Sequence, residues 1–230
     1  MIAIRDLRYR WPGAQSDVLV IDALDVADGQ AIFLYGPSGC GKSTLLGLLA
    51  GVLVADAGSV SVMGQDWAAC RSATRDALRA ERCGVIFQQF NLLPFLSVID
   101  NVLLPCRFSR VRADRATALA GNAEAAAREL LERMALPANL WQRTAAELSV
   151  GQQQRVAAAR ALIGTPQLVI ADEPTSALDA ALREDFMALL LGQCRAAGST
   201  LVFVSHDERL AERFDARWSL PALNRAVLLT

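Results

Sequence analysis

Gly36-Pro37-Ser38-Gly39-Cys40-Gly41-Lys42-Ser43-Thr44 is the stretch that decides how this chain folds. It satisfies G-x-x-x-x-G-K-[ST] at every fixed position, with Ser43 in the last. Ala31-Ile32-Phe33-Leu34-Tyr35 before it reads as a buried strand, and Leu45-Leu46-Gly47-Leu48-Leu49 after it opens an apolar helix. That strand–loop–helix setting is what gives the pattern its meaning. Glycines let the backbone turn tightly, so that its N–H groups converge on one anion, and the helix adds the positive end of its dipole there. Lys42 is expected to reach the β- and γ-phosphates of a nucleotide, and the Ser43 hydroxyl to ligate Mg²⁺.

Lys42 is also the sole lysine among the 23 basic residues; the others are arginine. Lysine is thus kept where a compact ammonium among phosphates differs most from a planar guanidinium. The 230 residues suit one domain with a substantial core. Hydrophobic residues make up 53% and mean hydropathy is +0.28, yet no apolar run approaches the ~18 residues of a spanning helix. This excess suits either a docking surface or an Ala- and Leu-rich core. A net charge of −1 argues against a nucleic-acid partner. The start lacks a signal-peptide pattern, and five scattered cysteines have no metal-ligand spacing, so a reduced, cytosolic setting is expected.

Residues 2–9 alternate like a half-buried strand, and 18–26 read as a second, with Trp11-Pro12-Gly13 opening the turn between them. Trp11 there is either a stacking platform for a base or a tryptophan packing over a sheet edge. Residues 58–64 form a short strand, 71–81 a charged surface helix, and 83–87 a buried strand ending at Gln88-Gln89. An amide at that strand end can touch a metal or water beside the phosphate site. Phe90, Leu92, Leu93, Phe95 and Leu96 then make an apolar stretch that suits a partner interface or local burial equally.

Residues 97–163 read as helical, with Ala126, Leu130, Leu131 and Met134 sharing a core-facing side and residues 114–122 connecting two helices. Leu148-Ser149-Val150-Gly151-Gln152 precedes a helix expected over 156–162, with Ser149 as its cap. A hydroxyl and N–H groups at a helix start make a second anion site, which one nucleotide does not need. Leu168-Val169-Ile170-Ala171-Asp172-Glu173 is an apolar strand ending in two carboxylates, costly unless they hold a metal or proton. Alternation along the strand is expected to turn Asp172 toward Mg²⁺ and Glu173 toward an attacking water. The strand at 200–205 delivers His206, the chain's single histidine, as a donor to a γ-phosphate oxygen or as a structural group.

In this order the segments closely resemble the ATP-binding subunits of ABC transporters over nearly the whole chain. Residues 36–44 resemble the Walker A loop, Gln88 the Q-loop glutamine, and residues 148–152 the signature. Residues 168–173 resemble Walker B, Ser176-Ala177-Leu178-Asp179 the D-loop, and His206 the switch histidine. Gln88-Gln89-Phe90-Asn91-Leu92-Leu93-Pro94, followed by residues 98–105, resembles the lipoprotein-releasing, macrolide-export and cell-division subgroup. The resemblance implies an α/β fold: a RecA-like P-loop NTPase core with an N-terminal antiparallel β-subdomain and an inserted α-helical subdomain. Residues of about 1–88 and 164–230 would form the core and 89–163 the insert.

It further implies an ATPase using ATP and Mg²⁺. Lys42, Gln88, Glu173 and His206 would be catalytic. Ser43, Gln88 and Asp172 would hold the metal. Trp11, residues 36–44 (Gly36, Pro37, Ser38, Gly39, Cys40, Gly41, Lys42, Ser43 and Thr44), Ser149, Gly151, Gln152 and Asp179 would bind nucleotide. Two copies would pair head to tail, Ser149 and Gly151 of one meeting the γ-phosphate held by Lys42 of the other. A separately encoded membrane permease, contacted at the inner face of the cell membrane, would be the working partner. A soluble ABC-type ATPase of DNA repair or translation and a phosphate-loop kinase are the alternatives.

Two positions depart from the family pattern. Val150 stands where the signature has glycine, and a β-branched residue there predicts ordinary backbone with negative φ. Cys40 lies inside the phosphate loop, as a reactive thiol or as an inert small residue.

Overall fold

The computed structural model describes residues 1–176 and 178–226. Two sheets form its frame. The first is antiparallel, in the order β2-β1-β4-β5, from β1 (Ile2–Tyr9), β2 (Leu19–Val26), β4 (Ala57–Val62) and β5 (Gln65–Asp66). The second is parallel, in the order β6-β7-β8-β3-β9, from β3 (Ala31–Tyr35), β6 (Cys83–Ile86), β7 (Leu168–Asp172), β8 (Thr200–Val204) and β9 (Ala216–Ser219).

The strands that flank the phosphate loop are apolar on both faces because both are covered. Ile32 and Leu34 of β3, Ile170 of β7 and Val202 of β8 enter one hydrophobic cluster with the antiparallel sheet and α1 (Lys42–Leu49). Phe33, Val169 and Phe203 point the other way, into a cluster with the helices. In the first cluster Leu45, Leu48 and Leu49 of α1 are completely buried. The phosphate loop is thereby clamped at the C-terminal end of β3, between the two sheets. In β1 the buried positions change phase after Ile4, because Asp6 adopts φ 47 and the pairing with β4 shifts between Arg5 and Arg8. A bulge of this kind moves later side chains by one position.

The helical part runs through α2 (Ser72–Arg82), α3 (Val98–Phe108), α4 (Arg110–Ala120), α5 (Ala123–Arg133) and α6 (Val150–Leu162). Two helices depart from the sequence expectation. Residues 114–120, expected as a connection, lie inside α4, which starts at the Ser109 cap and ends at Gly121 (φ 82). Only Gly121 and Asn122, the cap of α5, make the connection. α6 begins at Val150, not at residue 156. Ser149 accepts a hydrogen bond from the Gln152 N–H while the Gln152 side chain accepts from the Ser149 N–H, and this capping box starts the helix. Ala126, Leu131 and Met134 of the expected core face are buried, and Leu130 is half-buried.

α6 lies against β6 at backbone contact: a β-carbon on Gly84 would sit 2.2 Å from the Ala161 carbonyl oxygen. Arg112 of α4 fills the same junction. Its guanidinium donates to the carbonyls of Ile163 (2.8 Å), Cys83 (3.2 Å) and Ala161 (2.6 Å), and burial lowers its pKa to about 10. α7 (Ala180–Ala197) and α8 (Leu220–Leu223) complete the fold, with Phe186, Met187 and Leu190 of α7 deep in the helical cluster.

Candidate functional site

The phosphate loop turns sharply at Gly41, whose φ is 101 and whose β-carbon would lie 2.9 Å from Leu19 Cδ2. Only glycine fits there. Leu19 follows the turn that carries Trp11, so that turn and the loop are neighbours. Trp11 is 45% exposed and stands edge-on to Tyr9 at 5.3 Å between ring centroids. It opens onto a surface hollow with Arg8, Arg10, Asp17 and Asp56. Cys40 is buried in the cluster under the loop.

Lys42 begins α1 and is only 7% exposed. Its Nζ donates to the carbonyls of Gly36 (2.8 Å) and Pro37 (2.9 Å), so the ammonium is folded onto its own loop. Beside it the Ser43 hydroxyl donates to Asp172 Oδ2 at 3.2 Å. Burial raises the Asp172 pKa, the Ser43 hydrogen bond opposes that rise, and the neighbouring Glu173 adds to it. Gln88 is exposed two residues beyond Ile86, which pairs with Ala171 of β7. The amide therefore stands one strand away from Asp172.

Asp172 and Glu173 do separate, but not by strand alternation as the sequence suggested. The chain leaves β7 at Glu173, whose φ is 45 and whose N–H donates to the Val204 carbonyl at 3.1 Å. A non-glycine residue held in the left-handed region carries strain that its surroundings must sustain, and such residues cluster at functional sites. The turn brings Glu173 Oε1 to 2.5 Å from His206 Nε2. Both line a polar cavity of about 460 Å³ with Thr175, Ser176 and Arg183.

Asp207, next to His206, accepts from Arg209 (2.8 Å) and Arg183 (2.5 Å). Hydrogen bonds from Arg209 first, and from Arg183 after it, hold its carboxyl far below the usual carboxylate range. Arg183 also donates to the Leu178 carbonyl at 3.0 Å, so the residues before α7 are tied to those after β8. Asp179 caps α7, accepting from the Leu182 N–H at 2.9 Å. Ala177, of the same expected loop, lies outside the described residues.

Ser149, Gly151 and Gln152 stand apart from this assembly: among the described residues no hydrogen bond joins them to residues 36–44. Val150 is the first residue of α6, with ordinary negative φ as its branching predicted, and is 48% exposed. Four residues outside the expected set support the site. Gln154 is fully buried and donates to the Pro174 carbonyl at 2.7 Å. Arg160 grips the turn after Gln88, and Arg183 and Asp207 join the segments around Glu173 and His206. The only signal for Gln154 and Arg160 was a polar side chain in an otherwise alanine-rich helix.

The donor chemistry of the site can be matched to what it would hold. A lysine ammonium, loop N–H groups and a helix N-terminus suit a polyphosphate. A hydroxyl, a carboxylate and an amide oxygen are the hard oxygen ligands Mg²⁺ takes.

Residues 21–176 match the family model described as ABC transporter. The chain is 39% identical over 220 residues to the lipoprotein-releasing system ATP-binding protein LolD of Novosphingobium aromaticivorans, covering 94% of this chain and 93% of that protein. It is 43% identical over 192 residues to LolD of Anaeromyxobacter dehalogenans, covering 84% and 77%. It is 38% identical over 213 residues to the macrolide export ATP-binding/permease protein MacB of Shigella flexneri, covering 92% of this chain but 32% of that longer protein. A dimeric post-hydrolysis structure of the ATP-binding cassette MJ0796, bound to ADP and Pi, matches with a TM-score of 0.81 at 30% identity. The match covers 98% of this chain and 97% of that one.

Proposed function

The chain belongs to the ABC transporter family as an ATP-binding subunit of the lipoprotein-release and macrolide-export group, and from that premise we propose that it hydrolyses ATP as a head-to-tail pair of copies and so drives a separately encoded membrane permease. The observation that carries the proposal is the contact of Glu173 Oε1 with His206 Nε2, at 2.5 Å, beside the Ser43–Asp172 pair.

Glu173 is the general base. Its Oε1 stands 2.5 Å from His206 Nε2, which leaves the other carboxylate oxygen to accept the proton of a water attacking the γ-phosphorus. His206, on the same side of the cavity, would donate to a γ-phosphate oxygen. Lys42, now on the Gly36 and Pro37 carbonyls, would turn to the β- and γ-phosphates. Trp11 stacks on the adenine from its exposed position. Mg²⁺ held by Ser43, Asp172 and Gln88 would neutralise charge on the β- and γ-phosphate oxygens.

The signature supplies the second half of each site. In the capping box the Ser149 oxygen accepts from Gln152, so its hydroxyl proton stays free to donate to an anion, as do the first-turn N–H groups of Val150 and Gly151. In one copy these donors have no phosphate to meet, and a second copy brings one. The permease reading is supported by an apolar cleft of about 630 Å³ where α2 and α3 face β6, lined by Val85, Phe87, Leu104, Pro105 and Phe108. Phe108 and Phe95 are 79% and 72% exposed. No helix among the described residues is long and apolar enough to cross a membrane; the proposal places the chain at the inner face of the membrane through its permease.

Glu173→Gln tests the proposal. It should retain ATP binding, lose turnover by about 10²–10⁴-fold as expected for a removed general base, and trap an ATP-bound dimer. Light scattering with Mg-ATP that finds this variant only as a monomer contradicts the paired site.

A further inference from the structure

We propose that Arg160 is a positioning residue for hydrolysis: it clamps the turn that carries Gln88 to the far end of the signature helix, so that the amide moves with that helix. The inference rests on the reading that the N-terminus of α6 meets a second copy's nucleotide and that Gln88 acts beside the metal.

Ser149 caps one end of α6 and Arg160 occupies its last turn. Eleven residues at about 1.5 Å each separate them by about 16 Å of rigid helix. The Arg160 guanidinium donates through Nη1 to the Asn91 carbonyl at 2.6 Å and through Nη2 to the Phe90 carbonyl at 2.5 Å. Those carbonyls face one side together because Phe90 and Asn91 are both left-handed, with φ of 59 and 49. Two successive non-glycine residues in that region are sterically disfavoured and persist only where the surroundings hold them.

The turn is closed on itself as well. The Phe90 N–H donates to Phe87 and the Asn91 N–H to Gln89, which leaves Gln88 near its tip. Arg160 makes no salt bridge among the described residues, and its burial lowers its pKa. A half-buried cation with only carbonyl partners adds little to stability; a planar fork that bridges two carbonyls fixes a geometry instead. Phe87, Asn91 and Arg160 also line the apolar cleft together with Ser43 and Asp172. An occupant of that cleft would therefore press on the clamp and the metal-side residues at once.

The test uses the full chain and two variants, Arg160→Met and Arg160→Lys, the latter able to reach one carbonyl but not both. ATP affinity measured by calorimetry in EDTA should stay within about twofold of the unsubstituted chain. The Mg²⁺ concentration for half-maximal ATPase should rise about tenfold, with Arg160→Lys closer to Arg160→Met than to the parent. Hydrogen exchange at the Phe90 and Asn91 amides should speed up in Arg160→Lys while the middle of α6 is unchanged. Should Arg160→Met fail to fold, the Lys variant carries both readouts. An unchanged Mg²⁺ requirement with unchanged exchange overturns the clamp, as does a uniform loss of ATP affinity, activity and melting temperature. Absent ATPase in the parent chain, or no loss in Glu173→Gln, would instead refute the functional reading, and the exchange result would still decide whether Arg160 holds the turn.

Discussion

Asp207 concentrates what single residues contribute here, because it sits beside His206 and joins two segments without touching a phosphate. Its carboxylate accepts from Arg183 and Arg209, with side-chain exposures of 17% for Asp207 and 20% for Arg183. Its folded-state pKa lies below the unfolded value, so the stabilisation is complete above the unfolded pKa of about 3.9 and is lost as pH falls below it. Asp207→Asn should cost roughly 1 kcal/mol, solvent screening included. In thermal melts the gap to the parent chain should hold from neutral pH to about pH 5 and narrow only below about pH 4. A gap that already closes near neutrality would mean that another group sets it. Residue types at this scale were legible in part. Lys42, Ser43, Asp172, Glu173 and His206 announced themselves by pattern, because phosphate chemistry needs those groups next to glycines and strand ends. Asp207 and Arg183 did not, since their pairing spans 24 positions and no local rule connects them.

Elements were most legible where a local signal sets their ends. β3 and α1 followed directly from an apolar strand, a glycine loop and an apolar helix. Residues 114–120 of α4 and the first turn and a half of α6 depart from expectation for the same reason: polar side chains on an exposed helix face resemble loop composition. In α6 the deciding signal is the Ser149-x-x-Gln152 capping box, formed with the first of three successive glutamines. α5 offers a test at this scale. Its cap Asn122 accepts from the Ala125 N–H at 2.8 Å and belongs to no candidate site. Asn122→Ala should lower stability by about 1 kcal/mol in urea melts, with no change in ATPase rate. A loss of activity out of proportion to stability would give α5 a role beyond packing.

At the scale of the molecule, the proposed paired site requires that one copy hold its two halves apart. The phosphate loop, Asp172, Glu173 and His206 gather at the ends of β3, β7 and β8, while Ser149 and Gly151 begin α6 and make no hydrogen bond to the loop among the described residues. Two variants that are inactive alone make this testable. Lys42→Ala removes the loop's ammonium and Ser149→Ala the signature hydroxyl. Mixed with each other and Mg-ATP, they should recover ATPase above either variant alone, because a mixed pair contains one intact composite site. No recovery in the mixture argues for sites complete within one chain. What the sequence determined by itself was chemistry and order: a polyphosphate loop, a carboxylate pair at a strand end, one histidine, and a helix start with a capping hydroxyl. Those depend on residue type and short spacing, which local backbone rules govern. The tertiary structure alone decided the left-handed turn that sets Glu173 against His206, the bond from Arg183 to Asp207, and the Arg160 grip on Phe90 and Asn91. These contacts join residues far apart in sequence through packed backbone, and no short-range pattern specifies which carbonyl a distant guanidinium will meet.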